Sequence, residues 1–426
     1  MKFLLCTWGS SGDLHPFLSL GNELRRRGHE VTLVGLGTWA DKARQAGLQL
    51  VAAEPGRSPE GMDIHPDLFS HRNFGLDSFR ILMRDFVLPT FGPWTDCLLR
   101  LAPDFDCLVA HSFVLVAPVV AEKTGIRFVS ASLAPGVIPS DYSMPAGSDL
   151  NPFRGWLGRK INRAIWKTGM RLIRPHVDPE VNRLRSKYGL SPVENTAFQS
   201  VSPDLHLQLY SRHFASREPD WPPFLQHAGF CFWDEDGAWS PPKELTHFLE
   251  AGAKPVLFTL GTSAIMSPRR FYEDAVEAVQ NSRHRAILLT GLKKNQPVNL
   301  PQNVLALNYA PHGWIMPRCS TIVHQCGIGT TSQALRAGLP SILCPFAFDQ
   351  PNNAMRVRAL GAGIVLSPKK RNAWKMREAV ERVTGDPSFQ ESARAIAQRI
   401  AGENGPSLAA KSLEQFVGQK RSSERF

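Results

Sequence analysis

The sequence predicts an α/β protein built from two doubly wound domains that face one another across a cleft. Short apolar runs of strand length alternate with segments of helical periodicity, which is typical of parallel sheets covered by helices. This alternation restarts after a polar, proline-terminated segment near the middle of the chain. The length of 426 residues fits two or three domains of about 150 residues each.

The first strand and the first helix have the clearest signals. Residues 2–7 form a mainly apolar run of the kind that parallel sheets bury on both faces. A glycine turn over 9–13 ends this run, and Pro16 lies where the first turn of a helix tolerates proline. A stripe of Leu and Phe then continues to Gly28. Further strands are predicted at 31–34, 48–52, 107–110 and 128–131.

The second half repeats this organisation. A buried strand is predicted at 255–260, directly before Gly261, and others follow at 286–290, 304–308, 321–323 and 341–344. The segment 233–245 is polar and rich in turn residues, which indicates a linker. The sequence therefore predicts an N-terminal domain over 1–232, a C-terminal domain over 246–417 whose last helix can pack back on the first domain, and a polar tail over 418–426.

Composition and charge limit the function classes. The chain has 49 Lys and Arg against 38 Asp and Glu, a net charge of +11, which favours an anionic partner such as a nucleotide or a phospholipid surface. Nucleic-acid binding is not expected because no nucleic-acid-binding module is recognisable. Seven scattered cysteines without metal-ligand spacing and an N-terminal apolar run too short for a signal peptide predict a cytoplasmic protein without a membrane span.

A glycine-containing turn follows the predicted strand 321–323. It contains His324, Gly327, Gly329, Thr330 and Thr331. Glycines let a ligand approach the backbone, and a helix that starts here would present unpaired N–H groups and a positive dipole end. The turn is therefore suited to a diphosphate, with His324 as a further hydrogen-bond donor. An ordinary strand-to-helix turn is the alternative, and neither a Walker loop nor GxGxxG is present.

A carboxylate and a carboxamide follow the next strand. Asp349 and Gln350 come a few residues after the strand at 341–344, at the edge where open parallel sheets bind ligands. Their acceptors and donors suit the hydroxyl groups of a sugar. The alternative is that this pair caps the following helix.

These segments, taken in order, resemble a known signature. His-x-x-Gly-x-Gly-Thr-Thr at 324–331, Ala-Gly-Leu-Pro at 337–340 and Asp-Gln at 349–350 with Asn353 resemble the nucleotide-sugar motif of the family 1 (UDP-glycosyltransferase-like) glycosyltransferases. The turn at 9–16 resembles the Gly-Ser-x-Gly-Asp-x-x-Pro turn of their bacterial and sterol-glycosylating branch. The likeness covers essentially the whole chain. Within the family, the chain looks most similar to rhamnolipid-type rhamnosyltransferases and sterol glucosyltransferases.

The resemblance implies a fold, a reaction and a set of donor contacts. It implies the GT-B fold, with two Rossmann-like domains that bind the acceptor in the first and the donor in the second, and inverting transfer without a catalytic metal or other cofactor. The implied donor contacts are Gly261, Thr262, Ser263, His324, Gly327, Gly329, Thr330 and Thr331 at the phosphates, Tyr309, Ala310, His312 and Gln333 at the base and ribose, and Asp349 and Gln350 at the sugar. Tyr309 stands where the family usually has Trp, His312 where Gln is common, and Gln333 where plant-type members have Glu.

The reaction needs a base because the acceptor hydroxyl must lose its proton as it attacks. The resemblance assigns this role to Asp13. His15 is the rival, since histidine titrates near neutrality. The local pattern alone favours Asp13 as a cap of the following helix. Ser10, Gly12 and His111 are expected on the acceptor side, and for His111 a structural role is the alternative.

Two segments bear on the acceptor. Residues 153–174 form an amphipathic pattern with Arg and Lys on one face, Leu and Ile on the other, and Trp156 and Trp166 at the edges. Such a helix can lie on an anionic bilayer, or it can pack its apolar stripe on the first domain. Residues 62–94 are rich in Phe, Leu, Met and Trp, and they line an acceptor pocket or form core.

The combined expectation is an inverting, metal-independent hexosyltransferase. It would move a glucose- or rhamnose-type sugar from a UDP- or dTDP-linked donor to a hydroxyl of a hydrophobic or lipid-like acceptor, with peripheral membrane contact through 153–174. Two alternatives stay open: a sugar-nucleotide epimerase of the same architecture, and a non-catalytic partner subunit that binds nucleotide sugars.

Overall fold

The computed structural model describes residues 1–53, 68, 76–199, 201–234, 239–262, 264–367 and 371–419, and these residues form two parallel sheets. The strands of the first sheet are β1 (Lys2–Cys6), β2 (Glu30–Gly35), β3 (Gln49–Ala52), β4 (Cys107–His111), β5 (Arg127–Ser132), β6 (His206–Gln208) and β7 (Leu225–His227). Those of the second are β8 (Val256–Thr259), β9 (Ala286–Leu289), β10 (Val304–Leu307), β11 (Thr321–His324), β12 (Ser341–Leu343) and β13 (Gly363–Val365).

Helices connect and cover the strands. They are α1 (Ser11–Arg26), α2 (Ala40–Gln45), α3 (Leu76–Leu82), α4 (Phe91–Leu101), α5 (Ala117–Thr124), α6 (Gly155–Lys187), α7 (Thr196–Gln199), α8 (Lys243–Glu250), α9 (Phe271–Val279), α10 (His312–Ile315), α11 (Ile328–Arg336), α12 (Gln350–Ala359), α13 (Ala373–Gly385), α14 (Pro387–Ala401) and α15 (Gly405–Gly418). Within the described ranges, no helix combines the length and the apolar character needed to cross a membrane.

The order of the strands creates a crevice in each sheet. The first sheet runs β3-β2-β1-β4-β5-β6-β7 and the second β10-β9-β8-β11-β12-β13. The order therefore reverses between β1 and β4 and again between β8 and β11. The loops after these strands leave on opposite faces of the sheet, and the gap between them is where doubly wound sheets bind ligands.

Apolar strand sequences form the centre of each domain. Phe3, Leu4, Leu5 and Cys6 of β1 are all fully buried because β1 lies inside the sheet, paired in parallel with β2 and β4. The ten strands expected from the sequence are present within one residue at each end. Strands β6, β7 and β13 were not predicted. They have three residues each. β6 and β7 combine a single Leu with His and Gln, and β13 begins at Gly363, so none of them has the apolar pattern of the predicted strands.

One helix differs from what the local sequence suggests, and another returns to the first domain. Helix α6 extends the predicted amphipathic segment to Lys187 and passes through Pro175 and Pro179, two residues that weaken a helix interior. Its later turns bury Val177 and Val181, and this packing holds the helix beyond the prolines. Helix α15 packs against α1 of the first domain, where Glu414 accepts hydrogen bonds at its Oε2 from Arg27 Nη1 (3.1 Å) and contacts His29 Nε2 through Oε1 (2.8 Å).

Candidate active site

A cavity of about 2270 Å³ occupies the crevice between the two domains. The loops at the carboxyl ends of both central sheets bound it, as the strand order requires. Sixteen predicted site residues line it: Ser10, Gly12, Asp13, His15, His111, Gly261, Thr262, Tyr309, Ala310, His312, Gly327, Gly329, Thr330, Gln333, Asp349 and Gln350. The structure therefore brings the predicted donor and acceptor residues to one place.

Two predicted donor contacts lie elsewhere. His324 does not line the cavity: β11 extends through this residue, pairs it with Thr259 and Leu343, and buries it fully. Its Nδ1 accepts a hydrogen bond from the backbone N–H of Cys326 (3.1 Å). Thr331 is buried as well and is absent from the cavity wall, since consecutive helical residues point about 100° apart. Ser263 lies outside the described residues.

Gln325 lines the cavity where His324 was expected. Its Nε2 donates to Thr330 Oγ1 (3.4 Å), so it bridges the turn to the first turn of α11. A Cβ placed on Gly261 would lie 2.2 Å from this Nε2. Side chains alternate between faces along a strand, so of two adjacent residues at a strand end only one faces the crevice. His324 was chosen for its chemistry, and the structure places its neighbour Gln325 in the cavity wall.

Two helix N-termini from different domains meet in the cavity. A Cβ on Gly329, in the first turn of α11, would lie 3.5 Å from the Cα of Gly12 in the first turn of α1. Helix N-termini carry a partial positive charge and unpaired N–H groups. Their convergence produces a small region that favours an anion, and the Lys42 ammonium, 3.4 Å from Ser11 Oγ in the first turn of α1, adds a positive charge nearby.

The Asp13 carboxylate is held at the start of α1. Its Oδ2 accepts hydrogen bonds from the Ser10 backbone N–H (2.7 Å) and the Ser10 hydroxyl (3.0 Å), which forms one side of a capping box. Gly9 has φ +134°, and a Cβ there would lie 2.3 Å from Asp13 Oδ2. The capping role expected from the local pattern is thus present. It fixes the carboxylate in the cavity wall and does not remove it from the site.

His111 is buried and His15 is half-buried, and both imidazoles favour the neutral form. Burial, followed by the charges of Lys42 and His312, lowers the pKa of His15 to about 3. The His15 Nε2 also lies 3.3 Å from Lys42 Nζ. The ammonium group can therefore donate a hydrogen bond to the lone pair that would otherwise take a proton. Burial lowers the pKa of His111 too, against the opposing effect of the Asp13 charge. Burial and the neighbouring ammonium group both weaken His15 as a proton acceptor.

Asp349 occupies the opposite wall, on the second domain. Burial raises its pKa to about 6, a hydrogen bond from Asn353 Nδ2 (2.7 Å) opposes that shift, and the charge of Asp13 adds to it. The backbone N–H of Ile328, the first residue of α11, also stabilises the carboxylate. Asp349 precedes α12 but makes no capping bond to that helix. Asp349 thus occupies the N-cap position of α12, but its side chain does not cap the helix.

The side-chain carbonyl of Gln350 holds the loop between β12 and α12. Its Oε1 accepts hydrogen bonds from the backbone N–H groups of Phe346 (2.8 Å) and Ala347 (3.1 Å). The amide Nε2 is the part of Gln350 that can address a ligand in the cavity. Among the residues described here, no three His, Cys, Asp or Glu side chains are grouped so that they could hold a metal ion.

The rest of the cavity wall is largely apolar. From the predicted segment 62–94, Leu76, Phe79, Leu82 and Met83 line it, whereas Phe86, Phe91 and Trp94 belong to the core. Residues 62–67 and 69–75 of that segment lie outside the described residues. Helix α6 contributes Ile161, Ile165, Leu172 and Ile173. Its apolar face thus lines the cavity, so neither alternative offered for residues 153–174 describes it fully.

Comparison with known proteins identifies the family. The glycosyltransferase family 28 N-terminal domain matches residues 3–138, and the erythromycin biosynthesis protein CIII-like C-terminal domain matches residues 278–416. The O-mycaminosyltylonolide 6-deoxyallosyltransferase of Streptomyces fradiae is 31% identical over 98% of this chain and 98% of its own length. A sterol 3-beta-glucosyltransferase of Arabidopsis thaliana is 27% identical over 97% of this chain, which spans 65% of the plant protein.

Solved structures agree on the fold. The glycotransferase of kitacinnamycin superposes with a TM-score of 0.73 at 21% identity, covering 98% of this chain and 99% of the other. The spinosyn forosaminyltransferase SpnP gives 0.72 at 21% identity, covering 98% and 100%. The predicted GT-B arrangement of two Rossmann-like domains is confirmed. The chain therefore belongs to the family 1, UDP-glycosyltransferase-like enzymes and is a GT-B glycosyltransferase.

Proposed function

We propose that this glycosyltransferase moves a glucose- or rhamnose-type hexosyl group from a UDP- or dTDP-sugar to a hydroxyl of a hydrophobic acceptor, with inversion and without a catalytic metal. One observation carries the proposal. Asp13 of the first domain and Asp349 of the second line the same cavity, close enough for the charge of Asp13 to raise the pKa of Asp349. A sugar held at Asp349 would present its anomeric carbon towards Asp13.

The donor would bind along the second domain. The backbone N–H groups in the first turn of α11, with Gln325 and Thr330, form the cradle for the diphosphate. Asp349 and the amide Nε2 of Gln350 suit the sugar hydroxyls. Tyr309, with half of its surface exposed, lines the part of the cavity that would hold the base.

The proposed step is a single displacement. The acceptor oxygen attacks the anomeric carbon, its proton passes to the Asp13 carboxylate, and the bond from that carbon to the diphosphate oxygen breaks. The nucleoside diphosphate leaves with its bonding electrons. Fixed N–H dipoles at the start of α11 stabilise the charge that develops on it, so the chain itself can supply the stabilisation that a metal gives elsewhere.

The apolar part of the cavity supports a hydrophobic acceptor. Leu82, Met83 and Phe79 face the side chains of α6 across it, and an apolar molecule gains free energy when it leaves water for such a wall. The named relatives act on a tylonolide and on sterols, which are carbon-rich molecules with hydroxyl groups. This agreement supports an acceptor of the same physical kind.

The test pairs a donor screen with a product assay. Thermal unfolding would be followed with UDP-glucose, dTDP-glucose and dTDP-rhamnose, since a bound donor stabilises the fold according to its affinity. The best donor would then be incubated with sterol and macrolactone alcohols, with and without EDTA. We expect one hexosylated product of inverted anomeric configuration, formed equally in both cases.

Other outcomes would contradict the proposal. Conversion of the donor into another nucleotide sugar without any acceptor would indicate an epimerase. Binding without turnover on every alcohol would indicate a non-catalytic partner. Loss of product with EDTA that Mg²⁺ restores would contradict metal independence.

Gly261→Ala should weaken binding of the nucleoside diphosphate at least about tenfold, because the new Cβ displaces Gln325 from the cradle and the backbone at this position has φ +63°. Isothermal titration with UDP and dTDP measures the change. Gly125→Ala is the matched control: it has φ +70° but no atom within 4 Å of the added Cβ. The control should lose similar stability and keep full affinity. Equal affinity in both variants would show that Gln325 does not shape the donor site.

A further inference from the structure

The exposed apolar side chains of the described residues are concentrated on one part of the first domain. Within the described part of the chain, twelve large hydrophobic residues are exposed, and seven of them lie between residues 142 and 172. These seven are Tyr142, Leu150, Phe153, Trp156, Leu157, Ile161 and Leu172. We call this part of the molecule, on α6 and the loop before it, the α6 surface. Large apolar side chains that are exposed together mark candidate interaction sites.

The α6 surface is also strongly basic. Residues 150–174 contain seven Arg and Lys and no Asp or Glu. Arg163 pairs with Asp141, and Arg174 pairs with Asp178 and Glu194. The Lys160 ammonium lies 4.4 Å from the centroid of the Trp156 ring. The surface therefore places cations directly beside exposed aromatic and aliphatic groups.

The same surface borders the mouth of the cavity. Leu150, Ile161 and Leu172 are exposed to solvent and also line the cavity. The α6 surface and the cavity wall therefore share these three side chains. A hydrophobic molecule that reaches the α6 surface therefore meets apolar side chains that also line the cavity, beside the polar residues Ser148, Asp149 and Thr168 of the same wall.

We propose that the α6 surface docks on an anionic phospholipid bilayer and that the acceptor enters the cavity from that bilayer. Cations attract the lipid headgroups, while Trp156 and Leu157 insert into the boundary with the acyl chains. A bilayer matches both features of the surface, because its headgroups are anionic and its acyl chains are apolar. The entry of the acceptor from the bilayer rests on the acceptor class given under the proposed function. The docking itself does not.

Vesicle co-sedimentation of the full chain tests the docking. We expect binding to vesicles of equal phosphatidylglycerol and phosphatidylcholine, little binding to pure phosphatidylcholine, and weakening with salt. The double variants Trp156→Ala/Leu157→Ala and Lys160→Glu/Lys167→Glu should each lower the partition coefficient at least about tenfold. None of these four residues lines the cavity, so turnover on a water-soluble alcohol should be unchanged.

Trp374→Ala is the matched control. Trp374 is 64% exposed, as is Trp156, and Lys375 lies 4.2 Å from its ring centroid, but it belongs to α13 of the second domain. The control should bind vesicles like the unchanged protein. Absence of binding to anionic vesicles, an equal loss in the Trp374 variant, or a dimer in light scattering that the α6 variants abolish would each overturn the proposal. Turnover on the water-soluble alcohol reports separately on the proposed function.

Discussion

Asp13→Asn should lower kcat roughly 10³-fold, which is the contribution expected of a general base, and leave the Kd of the donor unchanged. Asparagine is nearly isosteric and can still accept a hydrogen bond from Ser10, which now donates to Asp13 Oδ2. The start of α1 should therefore persist, and only the ability to take a proton is lost. Initial rates with the best donor and acceptor, beside donor titration, measure both quantities.

Two variants control this prediction. Asp386→Asn changes another carboxylate at a helix start, where Asp386 Oδ1 accepts from the Ser388 N–H (3.0 Å), and should leave kcat unaffected. His15→Gln should have a much smaller effect than Asp13→Asn, because the pKa of His15 is lowered to about 3. A larger loss in the His15 variant would move the base to the histidine.

Asp349→Asn should produce two effects of opposite sign. The donor should bind roughly 10²-fold more weakly, since hydrogen bonds from sugar hydroxyls to a charged acceptor are lost. The ligand-free protein should become more stable by about 1–2 kcal/mol at pH 8, because burial has raised the pKa of this carboxyl to about 6. Donor titration and thermal unfolding measure the two effects.

The stability gain should depend on pH. An ordinary Asp has a pKa near 4 when unfolded, so between about pH 4 and pH 6 the native state holds a proton that the unfolded state has released. The native state is therefore penalised increasingly as the pH rises to about 6, and the penalty is constant above that. The gain from Asp349→Asn should accordingly be full at pH 8 and vanish near pH 4.

A well-paired buried carboxylate gives the opposite sign and serves as the control. Asp178 accepts hydrogen bonds from the N–H groups of Asn195 and Thr196 and from the Thr196 hydroxyl. Asp178→Asn should lower stability and leave donor affinity unchanged. If Asp349→Asn also lowered stability at pH 8, the carboxylate would be structural and its assignment to the sugar would fail.

Much of the fold followed from local patterns, because parallel strands buried on both faces are continuous apolar runs. The run at β1 and the turn that begins at Gly9 predicted both the strand and the helix after it. That Asp13 and Asp349 line the same cavity could be expected only from the order of the motifs along the chain, because no local pattern shows that two domains lie together.

Three features could not be derived from sequence. The orientation of His324 and Gln325 depends on where β11 ends, and a shift of one residue exchanges the faces. Strands β6, β7 and β13 form by pairing with neighbouring strands. Their own three residues do not show the apolar pattern that would predict a strand. The position of the apolar face of α6 over the cavity is tertiary: the helical pattern shows that a face exists but does not show what it covers.

The most direct test is a crystal structure of Asp13→Asn with an intact nucleotide sugar and an acceptor alcohol. We predict the diphosphate at the first turn of α11 beside Gln325, the sugar at Asp349, and the acceptor hydroxyl within hydrogen-bond distance of residue 13. A sugar bound away from Asp349, or an acceptor hydroxyl that approaches His15 and not residue 13, would contradict this account.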